Sequence, residues 1–281
     1  MLHGLLSQMI FRAHVPAPPL SHFVAQVWFC EGYAPAHEKE RILPDGSIQI
    51  AINLRENLTR FYDRGSTNEC ESLRGAVISG AHSEFAVIDT AEQASVMGVQ
   101  FKPGGAYPFL GMPASELRNR HVSLDALWGA GGVDLRDQLL EASTPEAKFR
   151  IVEKALLAQA SDSLAGHPAL EYALVEFQKR PNLRTISSVT HSIGISKRRF
   201  IQVFNKRVGL TPKLFCRVRR FQSALRLIAK GGKIEWADLA VDCGYFDQAH
   251  FIHDFTDFSG LNPSAFVHHR TEHLNHVRLP E

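Results

Sequence analysis

The chain has 281 residues and a mass of 31.3 kDa, which at roughly 150 residues per domain predicts about two domains. Hydrophobic residues make up 44% of the chain and charged residues 21%, a composition that excludes a wholly disordered chain, a fibrous repeat and a disulfide-stapled miniprotein. The net charge of +2 hides an asymmetry: residues 1–167 hold 14 Lys+Arg and 19 Asp+Glu, whereas residues 168–281 hold 17 and 10. This excess of cations in the second half favours an anionic partner, such as nucleic acid or a membrane surface.

The cysteines indicate the compartment. Cys30, Cys70, Cys216 and Cys243 are widely scattered and lack the paired spacing of a zinc ribbon or a secreted disulfide framework. The first residues, MLHGLLSQMI, contain no basic leader, and no run of about 18 apolar residues occurs in the sequence. We therefore expect a cytoplasmic protein that does not span a membrane.

Short segments rich in β-forming residues fill the region between Phe23 and Phe101. In one of them Ile48, Ile50 and Ile52 alternate with Gln49 and other residues, as in a strand with one buried face. Turn-forming residues separate the segments, and no long helical pattern lies between them. The pattern predicts a small antiparallel barrel or sandwich. Its predicted strands are 24–29, 48–54, 85–88 and 95–101.

The period becomes helical after Pro113. Leu135, Leu139 and Leu140 share one helical stripe, and Pro145 opens a second helix. Two interpretations of this helical pair remain open: it closes the core of the barrel, or it forms a dimer surface. A polar connector near residues 161–168 follows, so the first domain is predicted to span residues 1–162.

The second half contains an internal repeat. At an offset of 50, Ile186, Val189, Thr190, Ile193, Gly194 and Ile195 match Trp236, Leu239, Ala240, Cys243, Gly244 and Tyr245. At an offset of 51, Phe200, Phe204, Gly209, Leu210, Pro212 and Phe215 match Phe251, Phe255, Gly260, Leu261, Pro263 and Phe266. Twelve correspondences with a single insertion make chance a poor explanation, and they indicate two copies of one structural unit.

Each copy has the pattern of a helix-turn-helix unit. A short amphipathic helix is followed by a glycine suited to a left-handed turn, and then by a capped second helix. Ser196 caps the second helix of the first copy, and Asp247 or Phe246 starts that of the second. Such a second helix is the element that enters the DNA major groove. An apolar stripe from Leu214 to Ile228 predicts a long helix that joins the two units.

Charge distinguishes the two units. Between Glu176 and Glu235 the sequence has 15 Lys+Arg and no acidic residue, whereas residues 235–269 have six acidic residues and no Lys or Arg. A run of cations is often only a solvated face, but its position around a helix-turn-helix unit favours attraction to phosphates. We therefore expect the first unit to anchor the protein on DNA and the second to contribute less affinity.

Two segments, GISKRRFIQVFNKRVGLTPKLF and LAVDCGYFDQAHFIHDFTDFSGLNPSAF, resemble the DNA-binding domain of AraC/XylS transcription regulators. LPDGSIQIAINL, ISGAH and VQFKPGGAYPFLGMP resemble the barrel-type domain found upstream in one branch of that family. The resemblance implies an α+β chain with a cupin-like antiparallel β-barrel before an all-α domain at 168–273. Within that domain it places a first helix-turn-helix at 185–208, a linker helix at 213–230 and a second unit at 235–259. Thr190 stands where the family usually has Ala, and His253 where it often has Arg.

The resemblance also implies which residues contact DNA. Arg198 or Arg199 is expected to pair with guanine and Gln202 with adenine. Ser196 and Lys197 at the start of that helix and Lys206 and Arg207 at its end are expected to contact phosphates. The candidate DNA-binding residues are Ser196, Lys197, Arg198, Arg199, Ile201, Gln202, Asn205 and Lys206 in the first unit, and Gln248, Ala249, His250 and His253 in the second. Asp254 is expected to lie beside the exposed residues of the second unit.

Enzyme and metal chemistry find little support in the sequence. The barrel region has no His-x-His pair, and no P-loop or Gly-x-Gly-x-x-Gly motif occurs, so we expect no catalytic residues, no cofactor and no metal. His268, His269, His273 and His276 do not share one helical face and are expected to form a solvated tail.

The four aromatic residues Trp28, Phe29, Phe101 and Tyr107 are candidates for an apolar ligand pocket, although aromatic residues at such positions more often belong to a core. The first domain has two alternative functions, an effector-sensing domain that also dimerises or an interaction module without a small ligand. The chain as a whole is interpreted as a sequence-specific regulator that binds double-stranded DNA. RNA polymerase, a small-molecule effector and a second copy of the chain are its further expected partners. A non-specific architectural DNA binder is the competing interpretation.

Overall fold

The computed structural model describes residues 9–66, 68–160, 164, 166–179 and 186–279. Its strands are β1 Ile10–His14, β2 Val24–Glu31, β3 Lys39–Ile42, β4 Gln49–Asn53, β5 Thr59–Tyr62, β6 Cys70–Leu73, β7 Ala76–Ser79, β8 Ala86–Asp89, β9 Ser95–Phe101, β10 His121–Ser123 and β11 His276–Arg278. Its helices are α1 Tyr107–Leu110, α2 Asp125–Trp128, α3 Ala130–Glu141, α4 Pro145–Gln159, α5 Pro168–Lys179, α6 Ile186–Ile193, α7 Lys197–Val208, α8 Pro212–Ala229, α9 Trp236–Asp242, α10 Gln248–Ser259 and α11 Pro263–His269. In the part of the chain that the structure describes, no helix is both long and apolar enough to cross a membrane.

The strands form two antiparallel sheets. The first has the order β1-β2-β9-β4-β7-β10 and the second the order β11-β3-β8-β5-β6. The α+β class and the antiparallel N-terminal domain are confirmed, and all four predicted strands are present. The predicted barrel is wrong in its closure, and the sandwich alternative describes the domain. Among the described strands, backbone hydrogen bonds divide the domain into two sheets and do not close it into one ring.

The two faces of the first sheet have different neighbours. Val27 and Phe29 of β2 belong to the apolar core, where α4 packs against the sheet. Because successive side chains on a strand point to opposite faces, Gln26 and Trp28 lie on the other side, toward the second sheet. This alternation leaves an internal cavity between the sheets that contains polar as well as aromatic side chains.

The two helix-turn-helix units form as the repeat predicts. Phe200 and Phe204 of α7 and Phe251 and Phe255 of α10 are fully buried. The glycines that follow α7 and α10, Gly209 and Gly260, both adopt positive φ, of 89° and 69°. The joining helix α8 begins and ends within one residue of its predicted bounds of 213–230. The predicted domain end at residue 162 and the predicted start of the first unit at residue 185 lie outside the described residues.

The C-terminal residues return to the first domain. Strand β11 pairs antiparallel with β3, which places Val277 opposite Arg41 and buries it completely. The expectation of a solvated histidine tail is therefore wrong for His276. A three-residue strand whose partner lies more than 230 residues away leaves no local periodicity in the sequence.

The helical domain packs directly on the sandwich. Gln222 of α8 donates a hydrogen bond from Nε2 to the carbonyl oxygen of Pro44 at 2.9 Å and another to Oδ1 of Asn275 at 2.8 Å. Arg41 of β3 donates from Nη1 to the carbonyl oxygen of Ser259, at the end of α10, at 3.2 Å. The joining helix therefore contacts the loop after β3 and the residue before β11, and the second unit contacts β3 itself.

Candidate nucleic-acid interface and internal cavity

Helix α7 presents a polar surface to solvent. Its N-terminus is capped by Ser196, whose Oγ accepts a hydrogen bond from the backbone N–H of Arg199 at 3.2 Å. Phe200, Phe204 and Val208 anchor the opposite face in the core. Of the predicted DNA contacts in this unit, Ile201 and Asn205 are half-buried. The exposed ones are Ser196, Lys197, Arg198, Arg199, Gln202 and Lys206.

The C-terminal end of α7 lies on the first domain. The Arg207 guanidinium carbon lies 4.7 Å from the centre of the Tyr107 ring, and Nζ of Lys206 lies 5.6 Å from it. A Cβ atom on Gly209 would lie 3.1 Å from the carbonyl oxygen of Ala114, so the two domains approach closely here. Lys206 and Arg207, two of the four residues expected to contact phosphates, therefore also lie against Tyr107 of the first domain.

Helix α10 also has an exposed face. Asp247 caps it by accepting a hydrogen bond from the backbone N–H of His250 at 2.7 Å, which selects Asp247 over Phe246 as its start. The predicted contact residues of this unit, Gln248, Ala249, His250 and His253, are all exposed. Phe246, just before the cap, is 88% exposed.

Asp254 does not lie on the exposed face of α10. It is only 2% exposed, and its Oδ1 accepts a hydrogen bond from Nη2 of Arg217 at 2.6 Å. The same Nη2 donates to Oδ2 of Asp257 at 2.9 Å. These hydrogen bonds raise the pKa of Arg217 and join α8 to α10. The sequence missed this pairing because the partners are 37 residues apart on different helices.

Two of the cations counted around the first unit, Arg217 and Arg220, therefore have structural roles. Arg217 neutralises the buried Asp254, and Nη2 of Arg220 lies 3.7 Å from the other oxygen of that carboxylate. Burial lowers the pKa of Arg219. Helix α7 consequently has more exposed cations than α8, where Lys213 and Arg226 are the exposed ones.

The cavity between the two sheets has a volume of about 310 Å³, which lies within the size range of small-molecule sites. Of the four aromatic residues predicted to line a pocket, Trp28 lines this cavity. Phe29 and Phe101 lie instead in the core, and Tyr107 contacts α7. The correction follows from strand geometry, because Trp28 and Phe29 are adjacent in β2 and must point to opposite faces.

A stack of three rings lines one side of the cavity. Phe61 and His121 lie parallel with their ring centres 3.6 Å apart, and His121 stacks on His82 with a centre distance of 4.5 Å. Burial lowers the pKa of His82 to about 4 and also lowers that of His121. Both imidazoles are therefore neutral at pH 7. His82 lies in the loop after β7 and His121 lies in β10, so no local sequence pattern predicts that their rings stack.

The cavity also contacts the loop that supports α8. Oδ2 of Asp45 accepts a hydrogen bond from Gln100 at 2.9 Å, and Oδ1 accepts from the backbone N–H of Ser47 at 2.8 Å. Next in the chain, Gly46 has a positive φ of 77°, and a Cβ atom there would lie 3.4 Å from Val218 of α8. One tight turn therefore borders both the cavity and the helix that joins the two units.

The described residues contain one close group of potential metal ligands, His253, Asp254 and Asp257. Both carboxylates in this group already form ion pairs with Arg217. The arrangement is therefore explained by the contact between α8 and α10.

Two models of known protein families match parts of the chain, one in each domain. Residues 12–123 match the model of a domain of unknown function, DUF6597, and residues 189–269 match the model of a helix-turn-helix domain. An uncharacterized HTH-type transcriptional regulator of Haemophilus influenzae is 30% identical over 98 residues, which are 34% of this chain and 33% of that protein. The chain thus matches about a third of the length of this relative.

Solved structures provide more distant likenesses. ToxT from Vibrio cholerae is 8% identical, with a TM-score of 0.48 over 92% of this chain and 98% of that one. A ToxT structure with a bound unsaturated fatty acid is 9% identical, with a TM-score of 0.45 over 82% and 91%. The two repeated units at the C-terminus thus form a helix-turn-helix domain of AraC type, and the residues before them carry a domain of unknown function, DUF6597.

Proposed function

We propose that the protein is a sequence-specific transcription regulator that reads double-stranded DNA mainly through α7. The observation that carries this proposal is the exposure of Arg198, Arg199 and Gln202 on a capped helix whose opposite face is buried. Arginine and glutamine are the residue types that pair bidentately with guanine and adenine in the major groove. Helix α10 contributes less, because its exposed face includes Asp257 and has no Lys or Arg.

The experiment is a footprint of the full-length chain on genomic DNA, followed by affinity measurements on one recovered site. Arg198→Ala and Gln202→Ala are each expected to remove about 1–3 kcal/mol of discrimination against altered base pairs. Lys206→Ala weakens binding to all sequences and lowers the salt slope by about 1. Lys154→Ala, which removes an exposed cation from α4, is the matched control and leaves the affinity unchanged.

Two outcomes contradict this proposal. Broad coverage of the genome without discrete sites indicates an architectural DNA binder. Intact specificity in a chain with Arg198→Ala, Arg199→Ala and Gln202→Ala together shows that α7 does not read bases.

An effector response forms the second part of the proposal. The cavity of the first domain is of ligand size, and the Asp45–Gly46 turn that borders it packs against α8. We expect the helix-turn-helix units to have two arrangements relative to the first domain. A ligand that favours one position of this turn would then stabilise one arrangement over the other. In the alternative, the first domain is only an interaction module.

RNA polymerase and a second copy of the chain are the further proposed partners. Val133 and Leu140, seven residues apart on α3, are 53% and 46% exposed, and Leu157 of α4 is 47% exposed. These apolar side chains support the dimer-surface interpretation of the helical pair. Analytical ultracentrifugation of the full chain and of Leu140→Lys tests it, with a concentration-dependent dimer expected for the former and a monomer for the latter.

A further inference from the structure

The cavity between the sheets has flat aromatic walls. A Cβ atom on Gly98 of β9 would lie 2.0 Å from Cε2 of Trp28, so the glycine allows the indole to lie close against the backbone of its own sheet. Phe11 stacks with this indole at a centre distance of 6.1 Å, and Phe61 lines the cavity from the second sheet. Aromatic rings therefore line the cavity from both sheets, which favours an apolar aromatic ligand.

One residue that lines the cavity, His82, has a polar atom without a partner. Nε2 of His82 is fully covered and makes no hydrogen bond, although most buried polar atoms in proteins have one. The ring of His82 also bonds to the backbone of Arg120, which leaves Nε2 as the free nitrogen. Since this imidazole is neutral at pH 7, its free nitrogen is able to accept a hydrogen bond from an N–H or O–H group.

The charges around the cavity disfavour an anion. Among the described residues that line it, none is a lysine or an arginine. Asp45 already accepts hydrogen bonds from Ser47 and Gln100, and Glu84 is paired with Arg64 at 2.7 Å. A bound carboxylate or phosphate would thus be desolvated without a cation to compensate it.

We propose that the cavity binds an uncharged, planar aromatic molecule with one N–H or O–H group, which donates a hydrogen bond to Nε2 of His82. This inference names the ligand class of the proposed effector site and therefore rests on the effector part of the proposed function. The carbonyl and amide groups of Gln26 and Gln100, which bond to each other at 3.1 Å, form a polar wall on the first sheet.

Three probes of the same shape test the assignment by titration calorimetry on the full-length chain at neutral pH. They are 2-naphthol, which has an O–H donor, 2-methoxynaphthalene, which has none, and 2-naphthoate, which is an anion. We expect the ether to bind about tenfold more weakly than the alcohol. We expect the carboxylate to bind at least about 100-fold more weakly than the alcohol.

Two variants assign the binding to this cavity. His82→Phe keeps a ring beside His121 but removes the acceptor, so the affinity for 2-naphthol falls about tenfold while that for the ether is retained. The retained binding of the ether also shows that the variant is folded. Ala51→Leu fills the cavity from the first sheet and removes the binding of both uncharged probes.

Several results overturn the assignment: no binding of 2-naphthol, carboxylate binding as tight as that of 2-naphthol, or unchanged binding to both variants. DNA footprints of the same preparations, made without any probe, keep this test separate from that of the proposed function. A chain that fails the probe test but protects discrete DNA sites is still a regulator, with a different ligand class. A chain that passes it but protects no discrete sites binds the ligand for another purpose.

Discussion

Nδ1 of His276 lies 2.7 Å from Oε1 of Glu40, and this contact joins the last strand of the chain to the third. The Glu40 side chain is completely buried, and its other oxygen accepts a hydrogen bond from the Tyr33 hydroxyl at 2.9 Å. Burial alone raises the pKa of this carboxyl, but the bonds from His276, His37 and Tyr33 outweigh it and lower the pKa.

Replacing His276 by alanine tests this contact. His276→Ala leaves one oxygen of a buried carboxylate without its partner, so we expect a loss of about 1–3 kcal/mol in the free energy of unfolding, measured with urea. The same substitution at the exposed His268 is the control and changes the stability by less than about 0.5 kcal/mol. Equal stability of the two variants would show that β11 is held by backbone pairing alone.

The stability of the protein falls in mild acid through His82. Its pKa in the folded protein is about 4, below the ordinary value of 6.5, so the unfolded chain binds the extra proton between these values. Stability from the neutral ring is full above pH 6.5 and is lost as the pH falls toward 4. Wild type should therefore lose about 2 kcal/mol more than His82→Phe between about pH 7.5 and pH 5. Parallel urea titrations of both proteins measure this difference, and identical pH profiles would contradict it.

We predict that Arg217 stabilises the packing of α10 against α8. Arg217→Met leaves Asp254 buried with only the more distant Arg220 and His250, so we expect a loss of about 2–4 kcal/mol in unfolding free energy. Asp257→Ala removes the exposed partner of the same guanidinium and costs less than about 1 kcal/mol. Addition of Asp254→Asn to Arg217→Met recovers part of the stability if the unpaired charge is the cause.

Two glycines in the first domain should respond in opposite ways to alanine. Gly98→Ala brings a Cβ atom against the Trp28 ring and either destabilises the chain by several kcal/mol or moves the indole, with a change in tryptophan fluorescence. A Cβ atom on Gly131 of α3 meets nothing within 4 Å, so Gly131→Ala should be neutral or stabilising by up to about 1 kcal/mol. Thermal unfolding of both variants measures the contrast.

His253 provides a test of the second unit. Its side chain is 72% exposed on α10, with Nδ1 3.5 Å from the Asp257 carboxylate. We predict that His253→Arg tightens DNA binding and steepens the salt dependence by about 1, because it adds a permanent cation. Fluorescence anisotropy at several salt concentrations measures both effects. Unchanged or weaker binding would show that this helix does not approach the phosphates.

Local patterns explain why the helical domain was predictable. The caps at Ser196 and Asp247 and the positive φ at Gly209 and Gly260 each depend on a few neighbouring residues, and the repeat presents each of them twice. The same reasoning identified β4 from its alternation, although it did not set which face of the strand borders the cavity.

Contacts between distant residues were not predictable in the same way. Asp254 appears exposed from its position in the second unit, and only the approach of α8 brings Arg217 to it. His82 and His121 are 39 positions apart in the sequence, and their stacking depends on the packing of separate segments. The pairing of β11 with β3 likewise depends on how the helical domain packs against the sandwich.

Because β11 supplies one edge of the second sheet, both helix-turn-helix units are, in topological terms, an insertion within the sandwich domain. A fragment that ends at the connector would expose the hydrogen-bonding edge of β3 and leave Glu40 without His276. Such an edge is a template for pairing with another chain, so self-association of that fragment would be a result of the truncation and not evidence for a native dimer.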